Sequence, residues 1–183
     1  MKNVYVFLAN GFEEIEALAT VDVLRRAGVK VTTVSLTMET KVTGAHGIPV
    51  EADAMFADCD YTIADMMVLP GGMPGAANMV RHSGLCALVQ AQSLADRWLA
   101  AICAAPMVLG RVGLLEGKKA TCYPGFEGEL IGAEYTAAPV EVEDLIITGK
   151  GPAAVLPFAY AIAEVLVGKE VVDEVKKGML YNE

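Results

Sequence analysis

Short apolar runs alternate with amphipathic stretches along this chain, and the alternation predicts strands and helices in turn. Lys2 to Ala9 (KNVYVFLA) is rich in β-branched and aromatic residues and ends at Asn10-Gly11, which predicts a first, central strand. Glu13 to Ala27 carries Ile15, Leu18, Val21 or Val23, and Leu24 at helical spacing, so these residues are expected on the core face of a first helix. Gly28 stops it and Val29 to Leu36 is the next strand, which closes a βαβ unit with a right-handed crossover. Lys41 to Asp53 breaks the rhythm: a Gly44-Ala45-His46-Gly47 turn predicts a small hairpin, at an edge because Pro49 has no N–H to donate. Asp65 to Leu69 (DMMVL) reads as a buried parallel strand that ends in Pro70-Gly71-Gly72-Met73-Pro74-Gly75, with helices over about 76–81 and 85–95.

Trp98 to Ile102 is short, apolar and uncharged, as expected of a strand covered on both faces, whereas Ala104 to Leu109 starts a helix with Pro106 in its first turn. Cys103 sits at the join. Beyond it the pattern predicts a short strand over Lys118–Cys122 and a short helix over Phe126–Ile131. A hairpin follows, with arms Val140–Val142 and Leu145–Thr148, then helices over Ala153–Val167 and Val171–Met179. The rhythm predicts an α/β, flavodoxin-like doubly wound sandwich: one domain over residues 1–183, mostly parallel sheet, helices on both faces.

Composition narrows the possibilities. Hydrophobic residues make up 54% of 183, yet no apolar run approaches twenty, which argues against a membrane span. The opening MKNVYVFLANGFEEIE is too short in its apolar part and too soon acidic for a signal peptide, so a cytoplasmic chain is expected. A net charge of −9 without a basic stripe argues against nucleic acid as a partner. The four cysteines, 59, 86, 103 and 122, form no CxxC pair and no metal-ligand spacing, so reduced thiols and no metal are expected.

Cys103 is the candidate for chemistry. A thiol between a strand end and a helix start lies near unpaired N–H groups and the positive end of the helix dipole, so it is expected to ionise below its free pKa of about 8.5 and to be nucleophilic and oxidisable. The plain alternative is a small hydrophobe in the core. Ligands of such sheets bind beyond the carboxyl ends of the strands. Three strand ends meet there: residues 9–16 supply carboxylates, 69–72 bare amides, and 102–104 the thiol.

The segments GFEEIEA (11–17), VDVLRRAGVKVT (21–32), VLPGGMPGA (68–76), AAICAAP (100–106) and TGKGPA (148–153) resemble the DJ-one/ThiJ/PfpI superfamily over essentially the whole chain, its deglycase and glyoxalase-like branch more than its peptidase branch. The resemblance implies that Cys103 is a nucleophile on a tight elbow and that the Glu16 carboxyl touches it. It also implies that Gly72 and Ala104 offer N–H groups to an oxyanion beside Gly71, and that the chain is a homodimer. Glu13 and Glu14 are expected to be structural or solvated. The chain departs from the pattern where many relatives carry a histidine after the elbow helix: here Tyr123 stands in that place, which argues against a Cys-His peptidase. Where relatives carry an arginine at the hairpin turn, this chain has His46. Arg26 with the partner's His46 is one expected anion-tolerant rim, an exposed turn residue the other reading of His46. His82 reads as a surface helix residue, and Cys122 as either a resolving thiol or an unpaired buried one; Cys59 and Cys86 read as structural.

These residues point to a cofactor-independent enzyme for reactive 2-oxoaldehydes or their early adducts. The rival readings are a redox sensor working through Cys103 oxidation and a PfpI-type peptidase. A nucleotide or flavin binder is disfavoured by the acidic loop after the first strand and the lack of a GxGxxG or P-loop pattern.

Overall fold

The computed structural model describes residues 1–181. From the amino end the chain forms β1 (Asn3–Leu8), α1 (Glu14–Arg26), β2 (Lys30–Ser35), β3 (Lys41–Thr43), β4 (Pro49–Glu51), β5 (Ala54–Met55) and β6 (Met66–Leu69). It continues through α2 (Gly75–Arg81), α3 (Ser83–Leu94), β7 (Trp98–Ile102), α4 (Pro106–Arg111), β8 (Lys119–Ala120), β9 (Glu134–Tyr135), β10 (Val140–Glu143), β11 (Ile146–Gly149), α5 (Val155–Val167) and α6 (Lys169–Gly178). The main sheet has seven strands in the order β10-β11-β7-β6-β1-β2-β5. Every neighbour is parallel except β10, which folds back on β11. The flavodoxin-like, mostly parallel α/β architecture anticipated from the pattern is thus the one observed.

Strands covered by helices on both sides need apolar side chains on both sides, and the sequence supplies them: all four residues of β6 are buried, as are all but the first of β1 and β7. From β1 the chain crosses to β2 on one side, and from β6 it crosses to β7 on the other. With right-handed crossovers, α1 therefore lies on one face and α2 and α3 on the other. α1 packs on α5 and α5 on α6, while α2 packs on α3 and α4. The reversal between the adjacent strands β1 and β6 opens a crevice at their carboxyl ends. Cys103 follows β7, the next strand along. Among the described residues no helix is long and apolar enough to cross a membrane.

Several details differ from the pattern reading. Edge strand β5 and the β8–β9 pair were not anticipated, because two-residue strands carry no readable period; the Lys118–Cys122 strand shrinks to β8 and pairs with β9 outside the main sheet. On α1 the inward face is Glu16, Ala17, Thr20, Val21, Val23 and Leu24, while Ile15 and Leu18, expected inside, are 55% and 39% exposed. Of the two alternatives for Glu13 and Glu14, structural or solvated, burial favours the first. His82 is no surface helix residue: it ends α2 and caps α3, its Nδ1 accepting from the Leu85 N–H at 2.9 Å, and its ring packs edge-on to Phe56.

Candidate active site

Cys103, directly after β7, has a left-handed backbone, φ 65°. That conformation costs a non-glycine residue roughly 1–3 kcal/mol and persists only where its neighbours impose it. Here the Cys103 N–H donates to the Gly149 carbonyl at 2.8 Å, and its own carbonyl accepts from the Tyr123 N–H at 2.9 Å. The bend presents the thiol at the start of α4, where Pro106 occupies the first turn without forfeiting a hydrogen bond. Main-chain N–H groups of Gly72 and Ala104 hydrogen-bond toward the sulfur.

The loop after β6 comes in so closely that it must be glycine. A Cβ on Gly71 would lie 2.6 Å from both the Cys103 Cβ and the Glu16 Oε2, and Gly72 has φ 90°. The absence of a side chain at 71 lets the acid and the thiol share one buried space. Glu16 is 1% exposed; its Oε2 accepts from the Gly71 N–H at 2.8 Å, and among the described residues its buried Oε1 has no nitrogen or oxygen partner.

Burial pushes the Glu16 carboxyl up to about 7, helped by the charge of Glu13 and opposed by hydrogen bonds from Cys103 and Gly71. The Cys103 thiol is pushed up to about 12, first by burial, then by the charge of Glu16 and the hydrogen bond to it, against the two main-chain donors. This corrects the expectation of a thiol ionised below its free value: the helix end is outweighed by desolvation and by a carboxylate in contact. The two groups titrate as a pair, and the acid rather than the thiol loses the first proton.

Glu14 fastens the β3–β4 turn to α1. Its carboxylate accepts from the His46 N–H at 2.8 Å and the Ile48 N–H at 3.4 Å, and its Oε2 lies 2.9 Å from His46 Nδ1. The hydrogen bonds hold Glu14 below the usual carboxylate range despite burial, while Glu14 and the nearby Glu13 raise His46 above its ordinary value. Among the described residues Glu13, Glu14 and His46 are the group whose ligand atoms lie close enough together for a metal ion, within 4.8 Å. Glu14 already spends its oxygens on the turn, so this arrangement reads first as a clasp.

Over the sulfur lies a cavity of about 460 Å3, bounded by Glu13, Ile15, His46, Gly72, Met73, Cys103, Ala104, Tyr123, Phe126 and Pro152. Fold and sequence thus bring together Cys103, Glu16, Gly71, Gly72, Ala104, Tyr123 and His46, the last from the same chain. Arg26 is not among them: it sits on the last turn of α1, exposed and paired with Asp22 at 2.7 Å. Cys122 is fully buried and off the cavity wall, while the Cys59 and Cys86 thiols point at main-chain carbonyls. Sequence reasoning missed Glu13, Ile15, Met73, Phe126 and Pro152 as walls; all but Phe126 lie within the segments that carry the resemblance, but the pattern puts Ile15 in the core.

The DJ-1/PfpI family model matches residues 2–165. Protein DJ-1 homolog A of Arabidopsis thaliana is 40% identical over 98% of this chain, which spans only 46% of that longer protein. Protein dj-1beta of Drosophila melanogaster is 40% identical, with 99% of each chain covered. The glutathione-independent glyoxalase DJR-1.2 of Caenorhabditis elegans is 31% identical over 90% of this chain and 88% of its own. Among solved structures, oxidized Toxoplasma gondii DJ-1 superposes with a TM-score of 0.95 at 34% identity, covering all of both chains. An elbow cysteine against a buried glutamate, on this sheet and in these surroundings, agrees with those matches: the chain belongs to the DJ-1/PfpI family.

Proposed function

We propose that this protein converts 2-oxoaldehydes such as methylglyoxal to 2-hydroxy acids without a cofactor, or acts on their early adducts with amines and thiols. The observation that carries the reading is the Glu16 carboxyl, buried against Cys103 and poised to exchange a proton near neutrality. The Cys103 sulfur adds to the aldehyde carbon; the thiol proton passes through Glu16 to the aldehyde oxygen, giving a hemithioacetal. Glu16 then takes the proton from that carbon and returns one to the neighbouring carbon, so the adduct isomerises to a 2-hydroxy thioester. Water adds its hydroxide to the acyl carbon and returns a proton to sulfur, releasing the 2-hydroxy acid and the free thiol. The Gly72 and Ala104 N–H groups favour the anionic oxygen or sulfur at each stage.

The test is lactate formation from methylglyoxal by purified protein in the absence of added thiols. Turnover is expected, and yield no greater than that of Cys103→Ala protein overturns the reading. Oxidation of Cys103 as the biological role is the second reading, suited by the same N–H groups, but it leaves the proton exchange at Glu16 without a use. Dilute peroxide and intact-mass measurement separate the two. The exposed apolar side chains Ile15 and Leu18 on α1 and Ile48 after the β3–β4 turn suit contact with a second copy of the chain, and the four free cysteines suit the cytoplasm.

A further inference from the structure

A second cavity, of about 480 Å3, opens on the other side of Tyr123. Its walls include Pro124, Pro139, Ala153 and Pro157, and Lys150, which also lines it, donates to the Ala137 carbonyl at 3.2 Å. Tyr123 and Pro152 line this space and the thiol cavity alike, so the two share a wall. That wall is held at one end only. The Tyr123 N–H is tied to the Cys103 carbonyl, whereas its hydroxyl has no hydrogen-bond partner among the described residues. The ring rests on Gly151, where a Cβ would meet its Cδ2 at 3.1 Å. A half-exposed ring fixed at its backbone but not at its tip can swing between staggered rotamers.

We propose that the second cavity is the subsite for the apolar substituent of a 2-oxoaldehyde whose aldehyde carbon is at Cys103. The inference rests on the function proposed above and adds a substrate class: aryl and branched alkyl glyoxals ahead of methylglyoxal. A methyl group leaves this space unused, whereas a phenyl ring laid past Tyr123 against the prolines exchanges water for apolar contact. The occupant is the substrate's own substituent because the second space adjoins, through Tyr123 and Pro152, the cavity that holds the reacting sulfur.

The experiment compares kcat/KM for phenylglyoxal and for methylglyoxal in wild type, Ala153→Leu and Ala153→Trp. Ala153 is exposed, so both side chains plug the second cavity without entering the core. The phenylglyoxal-to-methylglyoxal ratio is expected to fall about tenfold or more in Ala153→Trp, the scale of a lost apolar contact, with Ala153→Leu between. A ratio unchanged by either plug overturns the proposal, as does a plug that changes the oligomeric state, which would make the groove a contact between copies. If wild type turns over neither aldehyde, the functional reading fails, and binding of mandelate followed by amide NMR decides the subsite separately. Shifts at Gly151 and Ala154 that Ala153→Trp abolishes support it; their absence overturns it.

Discussion

Replacing Glu16 by glutamine isolates what it takes to hold a carboxylate inside this protein. The side chain is 1% exposed, and burial lifts its pKa from an ordinary 4.5 to about 7. Over that interval the native protein keeps a proton that the unfolded chain has released. Stability is therefore undiminished below pH 4.5 and falls as pH rises toward about 7. At about 1.4 kcal/mol per pH unit the full effect is about 3 kcal/mol. Glutamine has nearly the same shape, still accepts from the Gly71 N–H, and cannot ionise; whatever its extra N–H groups do is independent of pH. Cys103 contributes little to the comparison: its native thiol stays protonated, and an unfolded thiol of ordinary value 9.0 is only about a tenth ionised at pH 8. Urea unfolding of both proteins at pH 4.5 and pH 8 is the assay. Relative to wild type, Glu16→Gln is expected to gain about 3 kcal/mol between the two conditions, or about 6–12 °C in Tm for a chain of this size. A difference that stays flat, or moves the other way, refutes the claim that the carboxyl is held out of water.

The same carboxyl sets the pH dependence of turnover: kcat/KM for methylglyoxal is expected to climb as pH rises toward about 7, where Glu16 becomes a base, and to level above it. A profile that falls through this range, or a Glu16→Gln profile that keeps the climb, argues against Glu16 as the proton carrier. Gly71→Ala forces a methyl group between Cys103 and Glu16; a loss of about 1–3 kcal/mol in thermal unfolding should accompany loss of turnover, and full activity would contradict the packing described. Glu14→Ala leaves the His46 and Ile48 N–H groups without their acceptor, so about 1–3 kcal/mol should be lost and hydrogen exchange at residues 44–48 should quicken; unaltered protection there would count against the clasp.

The sheet was legible because β6 and β7 are continuous apolar runs, whose burial on both faces needs no tertiary knowledge. Cys103 was legible from the change of pattern at one residue, and Glu16 through resemblance to a family. The orientation of α1 was not. Its apolar positions suit two different stripes, and nothing in the periodicity says that an acid takes the inward place while Ile15 and Leu18 face out. The thiol's protonation was misjudged for a related reason: a helix start is visible in sequence, but desolvation and contact with a carboxylate 87 positions away depend on the fold. Within one chain helix length keeps Arg26 off the cavity, since ten residues from Glu16 to Arg26 span about 15 Å.

On α1, Glu16 faces the sulfur while its near neighbours Ile15 and Leu18 face outward. A helix is stiff about its own axis, so these residues turn together. A side-chain tip about 6 Å from that axis travels about 1 Å when the helix rolls by 10°, which is enough to make or break a proton path. A displacement of the outer residues by a roll of the helix is thus a displacement of the inner acid as well, since one stiff element carries both.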